Sequence, residues 1–281
     1  MSNILRSLLF VPGSRPERFE KALAAGADLV CIDLEDAVLP ANKDAARAAV
    51  LACIDNEKKL CVRINPVGTE TGEKDLHAFA NATAPDVIML AKCESANDVL
   101  HAQRVINQPN TRFIPLIETL TGVENAYQIA SACAQVEHIM FGGADMAAEL
   151  RCEFGYQPLL FVRSQLVFAA AKANVGLIDV PYVDIKSDSG LRTETAKVKA
   201  LGFSGKAAIH PCQIDAIHHT FMPTEQQVAY AQAVMAAVDG LDAGVVVVNN
   251  KMVDRPIILA CQRTLALVNN ASSKPKTERE N

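Results

Sequence analysis

The chain has 281 residues, half of them apolar and 21% charged, with 27 basic against 32 acidic side chains and a formal net charge of −5. This is the composition of a soluble globular protein, one large domain or two small ones, and it excludes a disordered or collagen-like chain. The mild acidity gives no general attraction to phosphate backbones, no apolar run reaches the roughly 18 residues of a membrane span, and the N-terminus lacks the shape of a signal peptide, so a cytoplasmic protein that binds neither nucleic acid nor membrane is expected.

Short β-branched runs alternate with Ala-rich amphipathic stretches. Ser7 to Val11 predicts a strand, Pro16 to Ala25 a helix ended by Gly26, Leu29 to Ile32 a second strand and Asn42 to Ile54 a second helix. Leu60 to Ile64 is the third strand, followed by a turn-rich Asn65 to Gly72 and a helix around Asp75 to Ala80. Val87 to Leu90, Phe113 to Ile117 and Ile139 to Phe141 are the fourth to sixth strands, with helices over Ala96 to Ile106 and Val123 to Ala134 between them. A long helix over Leu159 to Ala173 leads to the seventh strand, Leu177 to Val180; a helix over Leu191 to Ala200 leads to the eighth, Lys206 to Ile209. Buried apolar strands each followed by a helix pair in parallel through right-handed crossovers, and eight such units in about 220 residues match an α/β fold of the (β/α)8 TIM-barrel type. A doubly wound open sheet is the rival, but the first turn, Pro12-Gly13-Ser14-Arg15-Pro16, lacks its G-x-G-x-x-G signature. The barrel with its site is placed in residues 1–223. A C-terminal appendage of helix, hairpin and helix follows in 224–268, covering a barrel end or a neighbouring subunit, and a frayed tail occupies 269–281.

In a barrel of this kind reacting groups sit at the C-terminal ends of the strands. There the chain carries Asp33-Leu34-Glu35-Asp36, then Arg63 and Asn65, Lys92, Glu118, Asp145, Asp179 with Tyr182 and Asp184, and His210. Glu118 and Asp145 follow neighbouring strands, and two carboxylates that leave room for water and substrate oxygens suit Mg²⁺; the alternative for Asp145 is to cap a helix beginning at Met146. Arg63, after an apolar run, presents a planar fork for a carboxylate or enolate oxygen, or else forms a salt bridge to Asp33 or Asp36. Lys92 is an ion-pair partner of Glu35 or Asp36, or a Schiff-base nucleophile. His210 is a general acid or base, or a structural residue at the barrel mouth. Arg15, Arg18 and Lys21 put positive charge on a first helical turn, as a bound nucleotide phosphate or a solvated face would require. The remaining histidines read as surface residues. The eight cysteines include no C-x-x-C pair and fall mostly in apolar runs, as small buried hydrophobes do.

Taken together, Arg6-Ser7-Leu8-Leu9-Phe10-Val11-Pro12-Gly13, Asp33-Leu34-Glu35-Asp36-Ala37-Val38, Val62-Arg63-Ile64-Asn65, Ile117-Glu118-Thr119, Phe141-Gly142-Gly143-Ala144-Asp145-Met146 and Gly205-Lys206-Ala207-Ala208-Ile209-His210-Pro211 resemble the citrate lyase β-subunit-like family of the HpcH/HpaI aldolase superfamily. The resemblance runs in order from about residue 5 to residue 223. It implies a barrel assembled as a homotrimer or hexamer that makes or breaks a carbon–carbon bond between an acyl thioester and a 2-oxo acid. By the same resemblance Glu118 and Asp145 bind Mg²⁺ and Arg63 holds the oxo-acid or enolate oxygen. Arg15, Arg18 and Lys21 fit coenzyme A. From their places at the strand ends, Asp36, Lys92 and His210 are also expected among the substrate- or cofactor-binding residues. Members often carry Glu-Asp where this chain has Ala144-Asp145, so one neighbouring carboxylate is missing. The favoured activity is citramalyl-CoA cleavage to acetyl-CoA and pyruvate. A citryl thioester on an acyl carrier protein comes next, then malyl-CoA lyase or thioesterase chemistry. Outside this class stand a non-catalytic CoA-binding regulator and a metal-free aldolase using Lys92.

Overall fold

The computed structural model describes residues 5–54, 60–239 and 245–272. Two compact units divide the chain, Leu5–His218 and the stretch from His219 onward. The first holds β1 (Ser7–Pro12), α1 (Phe19–Leu23), β2 (Leu29–Asp33), α2 (Lys43–Ile54), β3 (Leu60–Ile64), α3 (Glu70–Ala80), β4 (Val87–Leu90), α4 (Ala96–Ile106) and β5 (Arg112–Ile117). It continues through α5 (Leu120–Glu124), α6 (Ala126–Ala130), β6 (His138–Phe141), α7 (Gly143–Leu150), α8 (Leu160–Ala173), β7 (Gly176–Asp179), α9 (Asp188–Leu201) and β8 (Gly205–Ala208), and α10 (Ile214–Phe221) follows.

The eight strands form one closed parallel barrel in sequence order, and β8 returns to β1 with Leu8 opposite Ala207. β2, β4, β6 and β8 are buried at every position because one face points into the barrel and the other against helices; this is why their apolar residues do not alternate with polar ones, His138 of β6 and Lys206 of β8 being buried polar exceptions. The barrel interior is packed by alternate residues, among them Leu8, Cys31, Cys61, Met89, Leu116, Met140, Ile178 and Ala207. Cys31 and Cys61 lie opposite each other in the β2–β3 register, and all eight cysteines are free thiols. Cys212 departs from the buried expectation: it is exposed.

Several expected helices change shape for local reasons. Pro16–Arg18 forms a short 3-10 turn before α1, so Arg15 lies outside the helix. Thr69 caps α3 by accepting from the Gly72 N–H at 3.0 Å, which starts that helix earlier than its apolar pattern does. The stretch read as one helix after β5 is broken at Asn125 into α5 and α6. Asp145 does not cap a helix at Met146: α7 begins at Gly143, and Asp145 sits inside its first turn.

The second unit contains α11 (Glu225–Val238), an antiparallel hairpin of β9 (Val246–Val248) and β10 (Lys251–Val253), and α12 (Arg255–Ser272). Asn249 and Asn250, both at positive φ, turn the hairpin. Its own core gathers Ala231, Val234, Val248, Val253 and Cys261. The tail expected from Asn269 is helical through Ser272, and the rest of it lies outside the described residues. No described helix is long and apolar enough to cross a membrane.

Candidate active site

The C-terminal ends of the strands open on a cavity of about 400 Å³ whose wall includes Phe10, Arg18, Asp33, Asp36, Arg63, Glu118, Ala144, Asp145 and Ile209. Arg63, Glu118, Asp145, Asp36 and Arg18 therefore face one space. Arg15, Lys21, Lys92 and His210 are not part of that wall.

Arg63 is fixed by the end of β2. Its Nε donates to Asp33 Oδ1 at 2.7 Å and its Nη2 to Asp33 Oδ2 at 2.6 Å, while Nη1 lies 3.2 Å from Glu35 Oε2. Of the two readings made from sequence, the salt bridge to Asp33 is present, and the guanidinium also borders the cavity, 5.3 Å from the centre of the Phe10 ring. Burial alone would lower its pKa, but the Asp33 hydrogen bonds and the charges of Asp33, Glu35 and Glu118 outweigh burial and raise it, so Arg63 stays charged. Asp33 is saturated, since it also accepts the backbone N–H groups of Glu35 at 2.9 Å and Ala37 at 3.2 Å.

Lys92 pairs with buried Glu35 and lies 3.7 Å from Asp36, the ion-pair alternative of the sequence reading. Burial opposes its charge, but the Glu35 carboxylate more than compensates and lifts the ammonium's pKa. This is the opposite of the lowered pKa that a Schiff-base lysine needs. Lys92 adopts a left-handed φ of 47°, uncommon for a side-chain-bearing residue. The turn directs its backbone N–H to Glu118 Oε1 at 2.9 Å.

Glu118 follows β5 and is 2% exposed. Burial pushes its carboxyl up to about 8; the Lys92 N–H and Arg63 pull it down, and the charges of Asp145 and Glu35 push it further up. Gly142 makes room for it: a Cβ there would stand 2.4 Å from Glu118 Cβ and 2.6 Å from Oε2. Asp145, half-buried, accepts no hydrogen bond and joins no ion pair among the described residues. A buried carboxyl short of positive charge beside an uncommitted one is the environment a hard cation relieves. No cluster of three or more His, Cys, Asp or Glu side chains arranged for a metal occurs among the described residues, so the pair would leave most coordination positions to water and substrate, as Mg²⁺ prefers.

The other expected residues separate. Arg15 is exposed and bound to Glu17 at 2.5 Å, Lys21 is exposed, and only Arg18 of the three reaches the cavity. His210 is exposed and caps the helical turn after β8: its Nδ1 accepts the Cys212 N–H at 3.2 Å and lies 3.0 Å from Cys212 Sγ. Asp179 does not face the mouth as a reacting group. It is fully buried between Arg163 Nε at 2.9 Å and Lys206 Nζ at 2.5 Å. Two histidines are not surface residues either. His138 is buried, and His218 reaches Ser7 Oγ at 2.7 Å.

A closed parallel eight-stranded barrel whose strand ends converge an arginine and two carboxylates on one cavity defines a (β/α)8-barrel enzyme. The HpcH/HpaI aldolase/citrate lyase family model matches residues 6–211, and a model for C–C bond lyases of the TIM-barrel fold matches residues 167–257. The citrate lyase subunit beta of Leuconostoc mesenteroides subsp. cremoris is 33% identical, over 94% of this chain and 93% of that one. The mitochondrial citramalyl-CoA lyase of Rattus norvegicus is 27% identical, over 96% and 87% respectively. The crystal structure of the Mycobacterium tuberculosis CitE protein in complex with magnesium, acetoacetate and coenzyme A superposes with a TM-score of 0.82 at 33% identity, covering 94% of this chain and 98% of that one. The chain belongs to the HpcH/HpaI aldolase/citrate lyase family, and it is a carbon–carbon lyase.

Proposed function

We propose that the protein is a Mg²⁺-dependent lyase of 3-hydroxyacyl-CoA thioesters, with citramalyl-CoA, split into acetyl-CoA and pyruvate, as its substrate. The observation that carries this reading is the convergence of Arg63, Glu118 and the uncommitted Asp145 on one cavity. The magnesium-, acetoacetate- and CoA-bound relative and the citramalyl-CoA lyase relative support the ligand set.

In this reaction the bond between the carbinol carbon and the thioester's α-carbon breaks, the hydroxyl loses its proton, and the departing thioester becomes an enolate. Glu118 and Asp145 would hold Mg²⁺, which when bound supplies Lewis-acid polarisation of the hydroxyl and carboxylate oxygens. Arg63, already charged and immobilised on Asp33, meets the negative charge that develops on the oxo-acid or enolate oxygen without reorganising. Asp36, exposed on the cavity wall and not engaged with Arg63, takes the hydroxyl proton in this reading. Phe10, Leu116, Met140 and Val180 supply the apolar wall that keeps these charges effective. Arg18 carries the contact to the CoA phosphates. The exposed phenylalanines Phe161 and Phe168, one heptad apart on α8, support a homo-oligomer; a trimer or hexamer is the assembly the family resemblance implies.

The test is acetyl-CoA release from citramalyl-CoA with Mg²⁺ and then with EDTA. Cleavage that EDTA abolishes and Mg²⁺ restores is the expected result. Failure to cleave citramalyl-, citryl- or malyl-CoA at saturating Mg²⁺ would refute the lyase reading on free CoA esters. The citrate lyase subunit beta relative favours a second reading, a citryl thioester on a carrier protein. Oxaloacetate release from citryl-acyl carrier protein, without turnover of citramalyl-CoA, would select it.

A further inference from the structure

Arg63 is only as well placed as the carboxylates that grip it, Asp33 at the end of β2 and Glu35 in the turn that follows. That turn is clamped from behind. Lys43, the first residue of α2, directs its ammonium to three acceptors: Leu34 O at 2.9 Å, Glu35 O at 2.7 Å and Asn65 Oδ1 at 2.6 Å. All three are neutral, and among the described residues Lys43 forms no ion pair with a carboxylate. A surface lysine recruited for solubility or pairing does not place its whole donor set on carbonyls, because a part-buried ammonium loses hydration and gains no neutralising partner. The Asn65 side chain is in turn held, its Nδ2 donating to Leu34 O at 3.1 Å and Asp75 Oδ2 at 2.7 Å. Asp75, fully buried, also accepts the Asn65 N–H at 3.0 Å and Arg47 Nε at 2.6 Å. The chain Arg47–Asp75–Asn65–Lys43 thus ends on the carbonyls of the two residues that lie between Asp33 and Asp36.

We propose that Lys43 is a positioning residue for the reaction. It does not line the cavity. It fixes the Leu34 and Glu35 carbonyls, and through them the angle at which Asp33 and Glu35 hold Arg63 and at which Glu35 holds Lys92. This rests on the reading of Arg63 as the group that receives the oxo-acid oxygen.

The experiment compares wild type, Lys43→Met and Lys43→Arg by calorimetric binding of pyruvate and of oxaloacetate at saturating Mg²⁺, calorimetric binding of CoA, and thermal melting. Lys43→Met keeps the apolar stem and removes the three donors. It is expected to weaken oxo-acid binding by about 10- to 100-fold while CoA affinity stays within about threefold, and Lys43→Arg is expected to recover most of the loss. Oxo-acid binding unchanged in Lys43→Met overturns the proposal, as does an equal loss of oxo-acid and CoA affinity, which is the signature of a role in folding alone. If Lys43→Met does not fold, Asn65→Ala, which removes one of the three acceptors, is read by the same split and decides in the same way. If wild type binds neither oxo acid, the functional reading fails and carries this inference with it, an outcome distinct from a bound wild type and an unimpaired variant.

Discussion

Gly142→Ala is the sharpest perturbation the site offers. Gly142 has a φ of −100°, outside the left-handed region, so alanine meets no backbone penalty of the glycine-only kind. Its N–H is tied to Ile117 O at 2.9 Å, which holds the backbone in place between the ends of β5 and β6. The added methyl would stand 2.4 Å from Glu118 Cβ, where ordinary van der Waals contact begins near 3.4 Å. Relief therefore requires about 1 Å of movement, and because Glu118 Cβ is fixed by its own backbone, the chain at 118 or 142 must shift and carry the Glu118 carboxyl with it; a displacement of that size at a reacting centre costs about 100-fold in rate. Overpacking adds about 1 to 3 kcal/mol of destabilisation, so melting must be followed alongside. The assay is a Mg²⁺ titration of thioester cleavage, with metal affinity and kcat extracted separately. We expect weaker Mg²⁺ binding and kcat lower by about two orders of magnitude in a protein still folded at assay temperature. A variant with Mg²⁺ affinity and kcat within about twofold of wild type would refute the argument that Glu118 is held in place by the missing side chain at 142.

Glu118→Gln is expected to abolish turnover and yet stabilise the metal-free protein. Burial holds the folded carboxyl near 8 against about 4.5 in the unfolded chain. Below pH 4.5 both states are protonated and nothing is lost; as pH rises from there toward 8 only the unfolded chain gives up its proton, so stability falls, by about 3 kcal/mol at pH 7. Urea unfolding in EDTA should show the variant more stable at pH 7 and equal to wild type near pH 4. Asp145→Asn should abolish turnover without a comparable gain in stability, and full activity in it under chelation would sink the metal assignment. His138 gives the opposite dependence: burial, aided by Arg112, lowers it from 6.5 to about 4. The unfolded chain takes up a proton that the folded chain refuses as pH falls from 6.5 to 4, so stability drops by about 3 kcal/mol over that window, and a His138→Gln variant should lack the drop. Among the eight cysteines Cys212 is exposed and touches His210 Nδ1, so peptide mapping after brief iodoacetamide treatment should find it modified first; equal labelling of Cys61 would contradict the burial pattern.

The barrel was legible because each strand is sandwiched between the packed interior and a helix, so that its apolar run is continuous and its helix partner amphipathic. Helix boundaries set by one capping hydrogen bond, as at Thr69, or broken at one residue, as at Asn125, leave little trace in periodicity. Arg63, Glu118 and Asp145 were legible as ionisable groups just beyond apolar runs. Asp179 carried the same signal and proved to be part of a buried ion network, because its partners Arg163 and Lys206 come from α8 and β8 and nothing local announces them. Lys206, fully buried, was hidden inside a strand. Lys43 was hidden in the first turn of a helix, where a lysine is unremarkable until its three acceptors are seen.

The difference between Asp179 and the candidate metal pair is one of charge balance, and it explains why one set of buried acids is structural and the other is available for chemistry. Asp179 meets two cations, and Asp33 takes two donors from Arg63 and two from the backbone. Both are complete without a ligand, and breaking either set would leave a buried charge unpaired. Glu118 is the recipient of a single hydrogen bond, from the Lys92 N–H, and Asp145 of none among the described residues. Burial without a full set of donors favours the protonated form of Glu118, and a cation from outside would relieve the same cost. The saturated acids build a frame that holds Arg63 at full charge, and in the proposed reading the unsaturated pair beside it is where Mg²⁺ would bind, next to the arginine that would meet a substrate oxygen.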